Sequence, residues 1–328
     1  MNTNRTTMNG KPVYEVPAKA IINFESGFSH KLLCDGPTFT AGSACVYRCA
    51  FCYVPDLMRK SPHMTGIRER HEDVVIRRRG AVEAMRRQLI DARGEPRFYD
   101  FTDTRVIYAS PLVDVAGNME LVRETVELCE VILKLTCWQI RLLSKSNLLP
   151  KVAQGLDHIP DAKRRVIYGV STGTLDDDLA RVFELDCPLV SKRLAALHWL
   201  QDHGYRTFGM ICPSLPQETL ADYQRFARDM YDALRADKCE HVWGEVINVR
   251  GESYTNTFNA LKNGGFVAQA HRLQLVFRTN ERWEVYARQT FDAHAALYPK
   301  GKLRFLQYIT PKTEAWWHLQ EQKGAVLL

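Results

Sequence analysis

Cys45-Val46-Tyr47-Arg48-Cys49-Ala50-Phe51-Cys52-Tyr53 sets three thiols at separations of four and three residues, just behind Gly42 and Ser43. Sulfurs this close in a turn-like segment converge on one point, and soft sulfur ligands select zinc, copper(I) or an iron–sulfur cluster. Zinc sites and ordinary ferredoxins use four protein ligands, with a second close pair or a fourth cysteine in a fixed run. The remaining cysteines, Cys34, Cys129, Cys137, Cys187, Cys212 and Cys239, are scattered singly. The simplest object that three thiolates satisfy is a four-iron cluster with one iron left open, where a substrate or cofactor can sit. Two blander readings compete with it: a structural metal site, and three unrelated core cysteines, since free cysteine is commonly buried.

Downstream of this loop the chain alternates between two hydrophobic periods. Short β-rich runs occur at Arg105-Val106-Ile107-Tyr108-Ala109, Gln139-Ile140-Arg141-Leu142-Leu143, Arg165 to Val170, Arg206 to Ile211 and His241 to Asn248. Between them lie helical stripes: Val122, Val126, Cys129 and Leu133; a short piece near Leu148 to Gly155; Leu194, Leu197 and Leu200, stopping at Gly204; and Leu220, Tyr223, Phe226, Met230 and Leu234. Thr174, with Asp177 three residues on, marks a capped helix start. Strands alternating with helices predict an α/β fold with a parallel sheet and right-handed crossovers. About five or six such units fit residues 41 to 250, which suits a partial (β/α)6 barrel better than a closed eight-unit one. The expected organisation is an N-terminal extension over residues 1–40, a core barrel over 41–250 and a C-terminal extension over 251–328. In that last part helices are expected over Phe266 to Phe277 and Arg282 to Tyr298, and a strand over Arg304 to Ile309. Trp316 and Trp317 either pack over an open barrel edge or stack on a base.

Composition sets wide bounds. The 328 residues are 45% hydrophobic and 25% charged, an ordinary globular balance, with 44 basic against 38 acidic residues for a net charge of +6. That excess permits a nucleic-acid partner without demanding one. Arginines accumulate from Arg68 through Arg77-Arg78-Arg79 to Arg93, interleaved with acids; a solvated helix face and a nucleic-acid contact are the two readings. Val82, Met85 and Leu89 recur at helical spacing within the run, and Gly94 is the expected stop. Nine cysteines without a disulfide-framework spacing, and no apolar leader after Met1, point to a reducing cytoplasm. No apolar run is long enough for a membrane span.

The spacing of Cys45, Cys49 and Cys52, with an aromatic before the last, resembles the cluster motif of the radical S-adenosylmethionine superfamily. Further stretches narrow the resemblance to its spore photoproduct lyase branch: Tyr108-Ala109-Ser110-Pro111, Leu143-Ser144-Lys145, Val170-Ser171 with Thr174-Leu175-Asp176, Cys212-Pro213, and Trp243 to Gly251. The similarity covers roughly residues 40 to 251. It implies a [4Fe-4S] cluster on Cys45, Cys49 and Cys52, whose open iron binds S-adenosyl-L-methionine and whose electron breaks it to a 5′-deoxyadenosyl radical. It also implies an electron donor such as flavodoxin or ferredoxin. Carried across, Phe51 and Tyr53 lie beside the adenine, and Ser110, Lys145 and Ser171 contact the cofactor. Glu245 and Arg250 are expected contacts to cofactor or substrate, with a structural ion pair as the competing reading. Cys212 is either a hydrogen-atom donor or an inert buried thiol. The lyase carries a cysteine in the stretch matching Val106 to Ser110, where this chain has Tyr108 and no thiol; Tyr108 is the conjectured radical relay. That departure counts against thymine-dimer repair. The expected substrate is a nucleic-acid base or nucleotide derivative, in DNA or RNA. The alternatives are a peptide or small metabolite under the same chemistry, and a non-catalytic nucleic-acid-binding protein with a structural metal.

Overall fold

A computed structural model describes residues 6–109, 111–248 and 252–328. Eight parallel strands form its centre: β1 (Thr38–Phe39), β2 (Val106–Ala109), β3 (Gln139–Ser144), β4 (Val166–Thr172), β5 (Arg206–Ser214), β6 (Val242–Val246), β7 (Leu303–Gln307) and β8 (Ala325–Leu327). They lie side by side in chain order, with Ile22–Asn23 added antiparallel outside β1. Because each crossover steps in the same direction, one sheet face is left free of crossover helices, and the twisted sheet curls around that face. β8 and Ile22–Asn23 remain its two edges among the described residues, so the barrel is open. The sheet runs past residues 41–250 at both ends, since β1, β7 and β8 come from the flanking segments.

The expected helices are present, with their boundaries set by tertiary contacts. Met119–Leu135 is capped by Asn118, whose side chain accepts the Glu120 and Leu121 amides. Leu149–Leu156, Val190–Asp202 and Leu220–Ala233 follow β3, β4 and β5. β4 is buried along its whole length, as a central strand covered on both faces must be. At its end Gly173 lies so near the Pro213 carbonyl that a Cβ would stand 2.0 Å from it, which brings the ends of β4 and β5 together. No described helix is long and apolar enough to cross a membrane.

Three sequence expectations change. Arg77 to Arg79 lie on a strand, Val75–Arg79, and not on a solvated helix: it pairs parallel with Lys11–Pro17 and antiparallel with Gly42–Ala44. The guanidinium of Arg77 is held by Glu120 and Glu124, and that of Arg78 donates to the Ala20 carbonyl at 2.9 Å. The helix cap near Thr174 is Asp176, whose carboxylate accepts the Asp178 and Leu179 amides. The stripe of Met85 and Leu89 ends at Leu89, five residues before Gly94, because Asp91 to Glu95 close a separate turn. In the C-terminal segment Trp317 is fully buried, donates to Glu284 at 2.7 Å and stacks on Phe305, so packing is its role.

Candidate active site

The three-thiol loop lies beside the carboxyl ends of the strands and is fixed from several sides. Arg48–Cys49 pairs antiparallel with Glu184–Leu185, the Ala50 amide donates to the Phe183 carbonyl at 2.8 Å, and Arg48 clasps Asp186 at 2.7 Å. The ammonium of Lys11 donates to the carbonyls of Cys45 and Tyr47 at 3.2 and 3.1 Å, and Ser253 donates to the Phe51 carbonyl. The Asp114 amide points at Cys45 Sγ, 3.4 Å away. Burial pushes the Cys45 and Cys52 thiols up to about 12, and the neighbouring thiols of the loop add to it. Cys49 runs the other way, because a hydrogen bond from Cys187, 3.6 Å distant, favours its anion.

Among the described residues no three His, Cys, Asp or Glu side chains form a cage for a single metal ion. Three cysteines on one braced loop offer the soft sulfur donors that an iron–sulfur cluster takes. Cys49 and Cys52 also line a cavity of about 560 Å³. The donor set thus fits the iron–sulfur group that the motif implies.

Next to the loop lies a buried group of charges. Glu184, shielded completely from solvent, receives Lys145 Nζ at 2.6 Å on one oxygen and Arg193 Nη1 at 2.6 Å on the other. Burial works against the Glu184 carboxylate, but the two cations outweigh it and hold its pKa below the usual range. Burial likewise opposes the Lys145 ammonium, and Glu184 keeps it charged. Lys145 Nζ also donates to Ser171 Oγ at 3.1 Å and lies over the Phe51 ring at 5.1 Å. Behind it Asp114 accepts the Ser144 hydroxyl and the Lys145 amide, each at 2.7 Å.

Phe51, Lys145, Ser171 and Cys49 are therefore together. A second set faces the interior of the open barrel. Tyr53 is 39% exposed, yet burial dominates its electrostatics, with Tyr108, Cys52, Glu245 and Cys212 close enough to add to it. The Tyr53 hydroxyl donates to the Pro111 carbonyl at 2.6 Å. Cys212 is half-buried, and its thiol donates to Glu245 at 3.7 Å; burial and this carboxylate keep the sulfur protonated. Tyr108 lies within electrostatic reach of Cys212 and 5.4 Å from the Phe28 ring. Ser110 and Arg250 lie outside the described residues.

The sequence reading missed Asp114, Glu184 and Arg193 around the loop, and Lys31 and Tyr308 near Glu245. Asp114 carried a signal, an acid just beyond a strand's carboxyl end. Glu184 sits in a two-residue strand with no pattern of its own.

No protein-family model matches the chain, and no curated protein matches it in sequence. Solved structures do. Spore photoproduct lyase complexed with dinucleoside spore photoproduct gives a TM-score of 0.58 at 11% identity, covering 91% of this chain and 82% of that one. A cysteine-to-serine mutant of the same enzyme gives 0.57 at 11% identity, with 91% and 82% covered. A double mutant with bound AdoMet and dinucleoside spore photoproduct gives 0.52 at 13% identity, over 84% and 77%. At such identities the likeness is one of fold, and it confirms the partial α/β barrel expected from the sequence.

Proposed function

We propose, from the fold shared with spore photoproduct lyase, that this chain is a radical S-adenosylmethionine enzyme acting on a nucleic-acid base or nucleotide-derived substrate. One observation carries the reading. Within a fold matched over 91% of the chain, the three-thiol loop lies at the strand ends where Lys145, Ser171, Cys212 and Glu245 also gather. In parallel α/β sheets that end is where ligands bind.

Cys45, Cys49 and Cys52 would hold the [4Fe-4S] cluster. Bound there, cluster and S-adenosyl-L-methionine supply reductive cleavage of a sulfur–carbon bond to a 5′-deoxyadenosyl radical, with one electron from a flavodoxin- or ferredoxin-like donor in the cytoplasm. The residues of the chain bind, orient and exclude water. Lys145, kept charged by Glu184, offers an ammonium to the cofactor's carboxylate, and Ser171 offers a hydroxyl. Phe51 and Tyr53 supply flat apolar faces for the adenine. Cys212 keeps its hydrogen on sulfur, a condition for returning a hydrogen atom to a substrate radical, and directs it towards Glu245. A nucleobase substrate is supported by the rings of Phe28, Tyr108 and Tyr308 near Lys31 and by the dinucleoside carried by the structural relative. Within the arginine run, Arg77 and Arg78 are used within the fold, while Arg68, Arg79, Arg86, Arg87 and Arg93 are exposed.

The test is anaerobic reconstitution with iron and sulfide, then reduction in the presence of S-adenosyl-L-methionine. Cluster absorbance and 5′-deoxyadenosine are expected; absence of both overturns the proposal.

A further inference from the structure

Lys31 comes from the N-terminal segment, more than two hundred residues from the strand it meets. Its carbonyl accepts the Trp243 indole N–H at 2.9 Å, which fixes its backbone against β6. Its ammonium then reaches Glu245, two positions further along the same face of that strand. The Nζ–Oε1 distance is 3.7 Å, and both side chains keep some solvent contact, 21% and 14%. That gap is too long for a direct hydrogen bond and is the kind that a third polar group bridges. Lys31 has three donors, of which Tyr308 engages one, and Glu245 has acceptor capacity beyond the weak Cys212 thiol donor. Rings stand around the pair: Phe28 at 6.0 Å and Tyr308 at 5.7 Å from Lys31 Nζ, with Tyr108 against Phe28.

From this geometry we infer that Lys31 and Glu245 select the substrate base by a lactam edge, an N–H beside a C=O, as in uracil, thymine and guanine. The inference rests on the nucleobase reading above and sharpens it. A carboxylate accepts the ring N–H and an ammonium donates to the carbonyl, so an uncharged, planar, donor–acceptor edge satisfies both at once. The pair is already charge-compensated and offers no net attraction to a charged ligand. Cytosine and adenine present a ring nitrogen acceptor to the carboxylate and an amino group to the ammonium, and each clash leaves a charged group without its partner. The same Glu245 oxygen that meets the Cys212 thiol belongs to this carboxylate, so a base seated on it lies beside the hydrogen-bearing sulfur. Tyr308 and Phe28 make both flanking segments part of the substrate wall.

The experiment measures binding of uridine, guanosine, cytidine, adenosine and 3-methyluridine to the full-length protein by saturation-transfer NMR and calorimetry. N-acetylglycinamide serves as a non-base amide. Wild-type protein is expected to prefer uridine and guanosine over cytidine, adenosine and 3-methyluridine by about ten- to hundredfold. Glu245→Gln, whose amide both donates and accepts, is expected to admit cytidine and level that preference. Lys31→Met is expected to weaken uridine about tenfold or more while leaving cytidine unchanged. Circular dichroism confirms that each variant is folded. Equal binding of uridine and 3-methyluridine, uridine-like affinity for N-acetylglycinamide, unchanged selectivity in both variants, or no binding of any nucleoside overturns the inference. Formation of 5′-deoxyadenosine by the same preparation separates the two readings: cleavage without base selectivity sinks the lactam edge and leaves the radical enzyme standing.

Discussion

The two ends of the central sheet bury cations in different ways. At the carboxyl end Lys145 and Arg193 share one carboxylate, Glu184, and the ammonium of Lys145 still meets a hydroxyl and a ring. At the amino end Arg141 is 5% exposed and has no ion-pair partner among the described residues. Its guanidinium lies between the rings of Phe208 and Trp243, at 5.6 and 5.0 Å, and donates to the Leu33 carbonyl at 2.6 Å. Arg304 lies over Trp243 and donates to the Leu32 carbonyl at 2.8 Å. Burial pulls Arg141 down to about 10. Cations at both ends hold backbone carbonyls, since Lys145 also donates to the Cys212 carbonyl at 3.4 Å and Arg193 to that of Pro188 at 2.7 Å. The carboxyl end differs in adding a shared carboxylate, which the floor lacks around Arg141. The segment through Lys31 belongs to both ends: the floor holds its backbone, and its ammonium reaches Glu245.

The largest effect expected at the carboxyl end is on iron. Cys49→Ala should reduce iron and sulfide after reconstitution to background, and Cys187→Ala, despite its sulfur lying 3.6 Å from Cys49, should keep both within twofold. Iron and sulfide assays decide it; loss of iron in Cys187→Ala would mean four thiolate ligands and no open corner. Next in size, Glu184→Leu strands two buried cations, and removal of one partner from a buried charge group costs about 3–5 kcal/mol. Urea denaturation should show that loss as a lower midpoint. A change below about 1 kcal/mol would show that water reaches Lys145 and Arg193 freely, and the contrast between the ends would fail.

Much of this was legible in sequence where chemistry and chain order coincide. Lys145, Ser171, Cys212 and Glu245 stand at or near the ends of their strands, and alternation of strands and helices is enough to place such residues together. The three thiols needed no fold at all. What escaped was decided by partners far away in the chain. Arg77 to Arg79 lie on a strand because Lys11–Pro17 pairs with them, a choice that local composition does not encode. Glu184 is recognisable only once β4 and the loop bring Lys145 and Arg193 to it. Lys31 read only as part of the N-terminal extension because its meaning depends on Trp243 and Glu245.

At the floor, Arg141→Met keeps a long apolar stem but removes the donor to the Leu33 carbonyl. A loss of about 1.5–3 kcal/mol is expected, the range for hydrogen bonds made by a charged group, with iron content after reconstitution unchanged. If iron falls as well, the two ends are coupled and the floor is part of the site.

The smallest effect tests the same floor by pH. His241 accepts from Arg304 at 2.9 Å through Nε2, and burial, then Arg304, Arg141 and Lys302, pull its pKa down to about 4. The unfolded chain protonates a histidine near pH 6.5, so between the two values the unfolded state takes up a proton that the folded state refuses. The His241 contribution is therefore fully present above pH 6.5 and is lost as pH falls towards 4. Allowing for its partial exposure, about 1–2 kcal/mol should disappear between pH 7 and 5. His241→Gln should flatten that part of the stability–pH curve, measured by urea midpoints at each pH. Arg141→Met should flatten it partly, by removing one of the cations that oppose the proton. A slope unchanged in both variants would show that the acid sensitivity arises elsewhere, with His294, also buried and held near 4, the next position to replace.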